Sequence, residues 1–162
     1  MTAGPAGERR LAFGVVAVQA ALLLAFFTAP RRSDWPLPAG LAAAGSVLTV
    51  AGAATLVGAA VNLGRSLTAL PTPAAGGRLR TGGLYRFVRH PIYSGLLALV
   101  FGATISSRSA VRLALALALL ILLWRKAIWE EAMLRRRYPG YADYARRTPR
   151  FVPTPAARRR PG

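Results

Sequence analysis

The stretch GGLYRFVRHPIYSG, Gly82 to Gly95, joins an arginine-rich connection to an apolar run and holds the chain's one histidine, His90. Proline fixes its own φ and lacks an N–H, so Pro91 suits the first position of a helix. His90 then stands at or beside the N-cap, with Arg89 just outside. From this start the apolar residues continue to Ser107. After the short SSRS turn around Arg108 they resume from Val111 to Trp124, with an extension to Trp129. The two blocks read as a helical hairpin. Seventeen residues from Pro91 to Ser107 give roughly 25 Å of helix, just enough to span a hydrocarbon core about 30 Å thick.

Two earlier blocks extend the pattern. Leu11 to Ala29 and Pro38 to Gly64 carry no charge over 19 and 27 residues, each long enough to cross a bilayer. A basic flank, Arg9 and Arg10, precedes the first block, as it would in a secretory signal; the block's length favours a retained span. With 54% hydrophobic and 17% charged residues, the composition is that of a membrane protein. The expected fold is an all-α integral membrane protein of about four transmembrane helices, the last two a hairpin, followed by a short cytoplasmic helical segment. Residues 1–64 form the two N-terminal spans, 65–153 a core of loop, hairpin and C-terminal segment, and 154–162 a basic disordered tail.

Charge orients this arrangement. Arg65, Arg78, Arg80, Arg86 and Arg89 lie between the second and third blocks with no acid, and Arg125, Lys126 and nine more arginines follow the fourth. The first loop offers only Arg31, Arg32 and Asp34. The positive-inside rule therefore places the second connection and both termini in the cytoplasm, with the first loop and the SSRSAVR turn outside. Arginines along the cytoplasmic edge can meet anionic lipid.

Other signals limit the chemistry. The chain has no cysteine, which excludes disulfides, thiolate catalysis and cysteine-built zinc sites, and a single histidine makes a histidine metal site a poor expectation. No internal repeat or dinucleotide fingerprint is present. Glycines 40, 45, 52, 58 and 64 give the second span a small-residue surface suited to close helix packing. Pro71, Pro73 and four glycines between Gly76 and Gly83 make the second connection a loop at the membrane surface. Helical register persists through WRKAIWEEAMLRRRYPG until Pro139-Gly140 ends it, and YADYARRTPRF forms a second short segment.

The candidate chemistry gathers at one membrane face. A helix N-terminus flanked by Arg89 and His90 suits a carboxylate or phosphate, with Tyr85 and Tyr93 placed to stack or hydrogen-bond. Equally, arginines and tyrosines there could be interfacial anchors and His90 a polar cap. Glu130 and Glu131, two of five acids, leave the fourth span on the same side. Lys126 and Arg135 could satisfy them in i,i+4 pairs worth only a few tenths of a kcal/mol. The hairpin brings Arg89, His90 and Tyr93 near both acids, a gap suited to a zwitterionic ligand. Tyr138, Tyr141, Tyr144, Arg146 and Arg147 could close over it or lie on lipid.

GGLYRFVRHPIYSG, followed after one hydrophobic hairpin by EEAMLRRRYPGYADYARRTPRFVP, resembles the isoprenylcysteine carboxyl methyltransferase and phospholipid methyltransferase superfamily over roughly Asn62 to Pro153. The resemblance implies S-adenosylmethionine as methyl donor, bound from the cytoplasmic side between the last two spans and the C-terminal segment, and a lipid-like acceptor entering from the bilayer. By motif match it implies cofactor contacts at Tyr85, His90, Pro91, Tyr93, Gly95, Glu130, Glu131 and Tyr144. The acid pair would take the cofactor's amino group or ribose, with Arg89 and Glu131 at the transfer site. A cofactor bearing an amino group, a carboxylate and a sulfonium needs acids at one end and a basic helix start at the other. A carboxylate acceptor needs no general base, so the expectation leans toward an anionic acceptor steered by Arg89; an amine phospholipid is the alternative.

Two other readings compete. Membrane reductases of the steroid reductase-like group share the hairpin and use NADPH, but their helix start resembles PNYxGE, where this chain has Ile92 and Leu96. A non-catalytic basic scaffold could bind anionic lipid, whereas the tail lacks the interleaved aromatics that stack nucleic-acid bases, so no nucleic-acid partner is expected.

Overall fold

The computed structural model describes residues 5–64 and 79–154, and these form helices and turns without a strand. The helices are α1, Pro5–Thr28; α2, Ala39–Leu63; α3, Pro91–Ser107; α4, Ala110–Arg137; and α5, Tyr141–Arg147, with a 3-10 turn at Gly83–Arg86. Expectations for the loop over 65–78 and the tail over 155–162 lie outside the described residues.

Each boundary follows from local chemistry. Pro91 occupies the first turn of α3 with His90 as its N-cap. Arg108, in the left-handed conformation at φ 51°, ends α3, and the Ser109 side chain accepts from the Arg112 N–H to begin α4. α4 runs 28 residues, about 42 Å, and so continues well past a hydrocarbon core before Pro139 stops it. Two helical stretches, Gly7–Thr28 and Ala39–Leu63, are long and apolar enough to cross a membrane; Pro91–Ser107 is a shorter apolar helix. α4 is less uniformly apolar because Arg112, Arg125 and Lys126 interrupt it.

Packing is lateral: α2 lies against α3, α3 against α4, and α4 against α1. Glycines make the α2–α3 approach possible. A Cβ on Gly52 would meet the Gly95 carbonyl oxygen at 2.7 Å, and one on Gly102 would meet the Thr49 backbone nitrogen at 2.5 Å. Gly45 and Gly52, and likewise Gly95 and Gly102, are seven residues apart, so one seam of each helix carries the contact. The broader small-residue surface expected on α2 narrows to this seam: a Cβ on Gly40 or Gly64 would meet open space, and Gly58 faces Leu84 of the 3-10 turn. On the other side of α3, Leu96, Leu97 and Val100 pack with Phe26, Ala116, Leu119 and Leu123.

At the end away from the site, the first loop clasps the α3–α4 turn. Ala110 N–H donates to the Asp34 carboxylate at 2.7 Å, Asp34 N–H donates to the Arg108 carbonyl at 2.9 Å, and Arg112 donates to the Ala29 carbonyl at 2.9 Å. These two connections therefore meet at the same end of the helices.

Candidate active site

The hairpin's other end is where the titratable side chains converge. Adjacent residues on a helix point about 100° apart, so Glu130 and Glu131 face different neighbours. Glu131 turns inward and its side chain is 0% exposed. It accepts from Arg89 Nη2 at 3.0 Å, from Arg150 Nε at 2.8 Å and from His90 Nε2 at 3.2 Å, while Arg135 reaches it one turn on at 3.4 Å. Because a carboxylate only accepts, the bond to His90 puts a proton on Nε2. Burial acts to raise Glu131, yet hydrogen bonds from His90, Arg150 and Arg89 outweigh it and hold the carboxyl well below the usual carboxylate range. The same bonds raise Arg150.

Glu130 turns toward the open edge, where its side chain is 24% exposed. Tyr93 Oη donates to it at 2.9 Å, and His90 Nδ1 lies 3.7 Å away. Burial pushes Glu130 up, beyond what the opposing pull of His90, the Tyr93 hydroxyl and Lys126 can offset. The two acids thus differ in kind: one is a buried, fully engaged anion and the other a reachable carboxyl with a raised proton affinity.

An aromatic wall borders them. The His90 and Tyr93 rings stack at 5.2 Å with 4° between planes, and Phe151 meets both edge-on. Phe151 also meets Trp124, over whose ring the Arg150 guanidinium lies at 4.8 Å. A backbone strap holds this wall in place. Arg89 N–H donates to the Pro149 carbonyl at 2.8 Å, His90 N–H to the Arg150 carbonyl at 3.1 Å, and Ser94 Oγ to the Phe151 carbonyl at 2.6 Å. These bonds satisfy donors at the start of α3 that the helix itself leaves unpaired.

Tyr144 ties α5 to the 3-10 turn by donating to the Tyr85 carbonyl at 2.6 Å. Burial raises both phenols, Tyr85 to about 12. A cavity of about 360 Å³ adjoins them, lined by Arg86, Asp143, Tyr144, Arg147 and Thr148 among others. The Tyr141 hydroxyl is buried without a hydrogen-bond partner among the described residues, and Tyr141 packs edge-on against Tyr144.

The structure brings Arg89, His90, Tyr93, Glu130 and Glu131 together as the sequence predicts, while Gly95 and Pro91 lie in helix contacts. Gly95 faces α2, where a Cβ would meet the Leu56 backbone nitrogen at 2.5 Å, so it serves helix packing. Pro91 is wholly buried and acts as the helix start. Arg89 is 10% exposed, and its guanidinium is held by Glu131 and the carbonyls of Ala145 and Thr148. Glu131 is enclosed by its contacts with Arg89, His90 and Arg150.

Sequence reasoning missed Arg150, whose guanidinium completes the Glu131 cluster from the strap. It also missed Lys126, whose Nζ donates to Gln19 Oε1 of α1 at 2.9 Å. The place of Lys126 one turn before Glu130 is a signal for the second, although by itself it reads as a surface pair.

A helical chain with two helices long and apolar enough to cross a membrane thus carries a hydrogen-bonded acid, imidazole and tyrosine cluster at the end of a hairpin. The chain belongs to the phospholipid methyltransferase family, whose profile matches residues 41–140, from α2 through the end of α4. Among curated proteins it is similar to the cobalt-zinc-cadmium resistance protein CzcN of Cupriavidus metallidurans, 37% identical over 76 residues covering 46% of this chain and 35% of that protein. It is similar also to the nickel-cobalt-cadmium resistance protein NccN of Alcaligenes xylosoxydans xylosoxydans, 39% identical over 77 residues, 46% of this chain and 36% of that protein. The match thus spans about a third of the length of these relatives. Among the described residues no group of three or more His, Cys, Asp or Glu side chains could hold a metal ion.

Proposed function

We propose that the protein is an S-adenosylmethionine-dependent methyltransferase that methylates a lipid-like acceptor at the cytoplasmic face. One observation carries this reading: Glu130, a reachable carboxyl, stands beside the stacked His90–Tyr93 pair at the mouth of a strapped hairpin. Family membership supplies the reaction class, since methyltransferases of this group draw on a sulfonium methyl donor.

The residues present fit that donor. Glu130 offers a carboxylate to its amino group, the buried Tyr141 hydroxyl marks a polar wall, and Tyr85, Tyr144 and Phe151 offer aromatic faces to its base. When bound, S-adenosylmethionine supplies a methyl group made electrophilic by a positive sulfur. The chain's part is orientation and exclusion of water. Glu131 locks Arg89, Arg150 and His90; His90 steadies Tyr93 by stacking; and Tyr93 fixes the Glu130 carboxylate.

Four spans, with both termini and the Glu130 edge in the cytoplasm against anionic lipid, agree with the distribution of arginine and with the shared face of the two short connections. A carboxylate acceptor giving an O-methyl ester is preferred over an amine phospholipid, because Glu130 and Glu131 are both engaged and leave no carboxylate to take a proton.

Calorimetry with S-adenosylhomocysteine in detergent tests the reading. Saturable binding that weakens at least tenfold in Glu130→Gln is expected. No binding by folded wild-type protein would overturn it.

A further inference from the structure

Arg112 is a buried guanidinium that meets no acid. It lies in the first turn of α4, is 5% exposed, and donates through Nη2 to the Ala29 carbonyl just past α1 at 2.9 Å. Its guanidinium carbon stands over the Phe26 ring, 5.4 Å from the centroid. Its Nε is buried without a hydrogen-bond partner among the described residues. The neighbouring charge that acts on it is Arg31, of the same sign.

Charge at this end of the helices is lopsided. Arg31, Arg32, Arg108 and Arg112 gather in the first loop and around the α3–α4 turn, and between Glu8 and Glu130 the sequence holds one acid, Asp34. The Asp34 carboxylate accepts from the Ala110 N–H, and Arg108 gives one donor to the Ser33 hydroxyl at 2.7 Å. A buried charge is costly unless it is both hydrogen-bonded and paired, and a carbonyl and a ring face answer only part of that need. Water at Nε would supply a bond but no charge. An anion supplies both.

Position says which anion. The site lies at one end of α1, a helix long and apolar enough to cross a membrane, and the first loop carries the half-buried Trp35, a residue type of the headgroup level. Phosphate is the anion that level offers, and guanidinium binds it through charge-assisted, often bidentate hydrogen bonds.

We propose that Arg112 and Arg31 form a binding site for a phosphate group, one oxygen accepting from Arg112 Nε and another from the Arg31 guanidinium, so that the anion ties the end of α1 to the start of α4. Because Nε lies below the surface, ligation turns the Arg112 guanidinium slightly outward toward Arg31, which is exposed. Arg112 and Glu130 are 18 residues apart on α4, about 27 Å. The phosphate site therefore takes no part in group transfer and stands whether or not the methyltransferase reading does. Its phosphate comes from a phospholipid headgroup or from the free inorganic ion.

The test uses the full chain, delipidated in neutral detergent at constant ionic strength, and follows the melting midpoint as phosphatidylglycerol, diacylglycerol or inorganic phosphate is added. In wild type, phosphatidylglycerol or inorganic phosphate is expected to raise the midpoint saturably where diacylglycerol does not, and whichever acts at the lower concentration names the source. The half-shift concentration is expected to rise about tenfold in Arg112→Gln and in Arg31→Gln, as loss of a charge-assisted bond implies. Arg31→Gln carries the test if Arg112→Gln does not fold, because Arg31 is exposed. Arg136→Gln, near the far end of α4, controls for general attraction of anions to a basic chain and keeps the wild-type value. No such shift in wild type, a wild-type value in Arg31→Gln, or as large a loss in Arg136→Gln as in Arg31→Gln would overturn the proposal.

Discussion

Replacing Glu131 by glutamine removes one negative charge from a site where four basic side chains meet and keeps its shape. Arg89, 10% exposed, is the partner that suffers most; Arg135, half exposed, loses little because solvent screens it. Breaking a buried ion pair costs about 3–5 kcal/mol. Arg89 retains the Ala145 and Thr148 carbonyls and the amide oxygen of the introduced glutamine would still accept, so the expected loss is at the lower end, about 3 kcal/mol. For a chain of 162 residues, each kcal/mol shifts the midpoint by about 2–4 °C. An apparent melting midpoint lowered by about 6–12 °C follows, measured by the loss of monodisperse protein at matched detergent and heating rate. A midpoint within about 2 °C of wild type would refute the assignment of Glu131 as the structural anion. A ligand-holding acid would give that second result together with lost cofactor affinity.

The neighbouring acid behaves oppositely: Glu130→Gln weakens S-adenosylhomocysteine binding while leaving the melting midpoint nearly unchanged, and a destabilised variant would contradict its exposed role. Glu130 has a raised proton affinity, so a cationic ligand that favours its carboxylate releases a proton, and affinity rises with pH until the free protein has lost that proton. Titration in buffers of different ionisation enthalpy measures that proton; identical heats would count against it. The depressed Glu131 contributes stability that is complete above its unfolded value and is lost as pH falls through its lower folded value. Acid titration of the midpoint should show that loss in wild type and its absence in Glu131→Gln. Gly52→Ala forces α2 from α3 and costs about 1–3 kcal/mol, whereas Gly40→Ala does not; equal midpoints would dismiss the seam. Since the chain has no cysteine, Ser33→Cys and Arg137→Cys can be labelled singly in intact cells, and the four-span topology expects only the former to react from outside.

The hairpin, its proline start and its stop at Pro139 were legible because proline and apolar runs act locally on the backbone. Convergence of His90, Tyr93 and the acid pair was legible because a short turn returns α4 alongside α3. The division between Glu130 and Glu131 was not, since a 100° step decides which acid is buried and no local pattern fixes the helix's rotation. The packing role of Gly95 was hidden for the same reason: it lies little more than one turn from His90 in sequence, yet its face belongs to the α2 seam. Arg150 and Gln19 are remote in sequence from the groups they touch, and only tertiary packing pairs them.

The strap from Ala145 to Phe151 also sets an order of assembly. Chains are made from the N-terminus, so α3 and α4 can pair while Arg150 and the carbonyls at Pro149 and Phe151 are still to come. Until they arrive, Glu131 lacks the Arg150 guanidinium and the start of α3 keeps its donors for water. The Glu131 cluster is thus the last part of the described chain to be finished, and a nascent hairpin whose helices have already paired keeps that end open until the strap has docked.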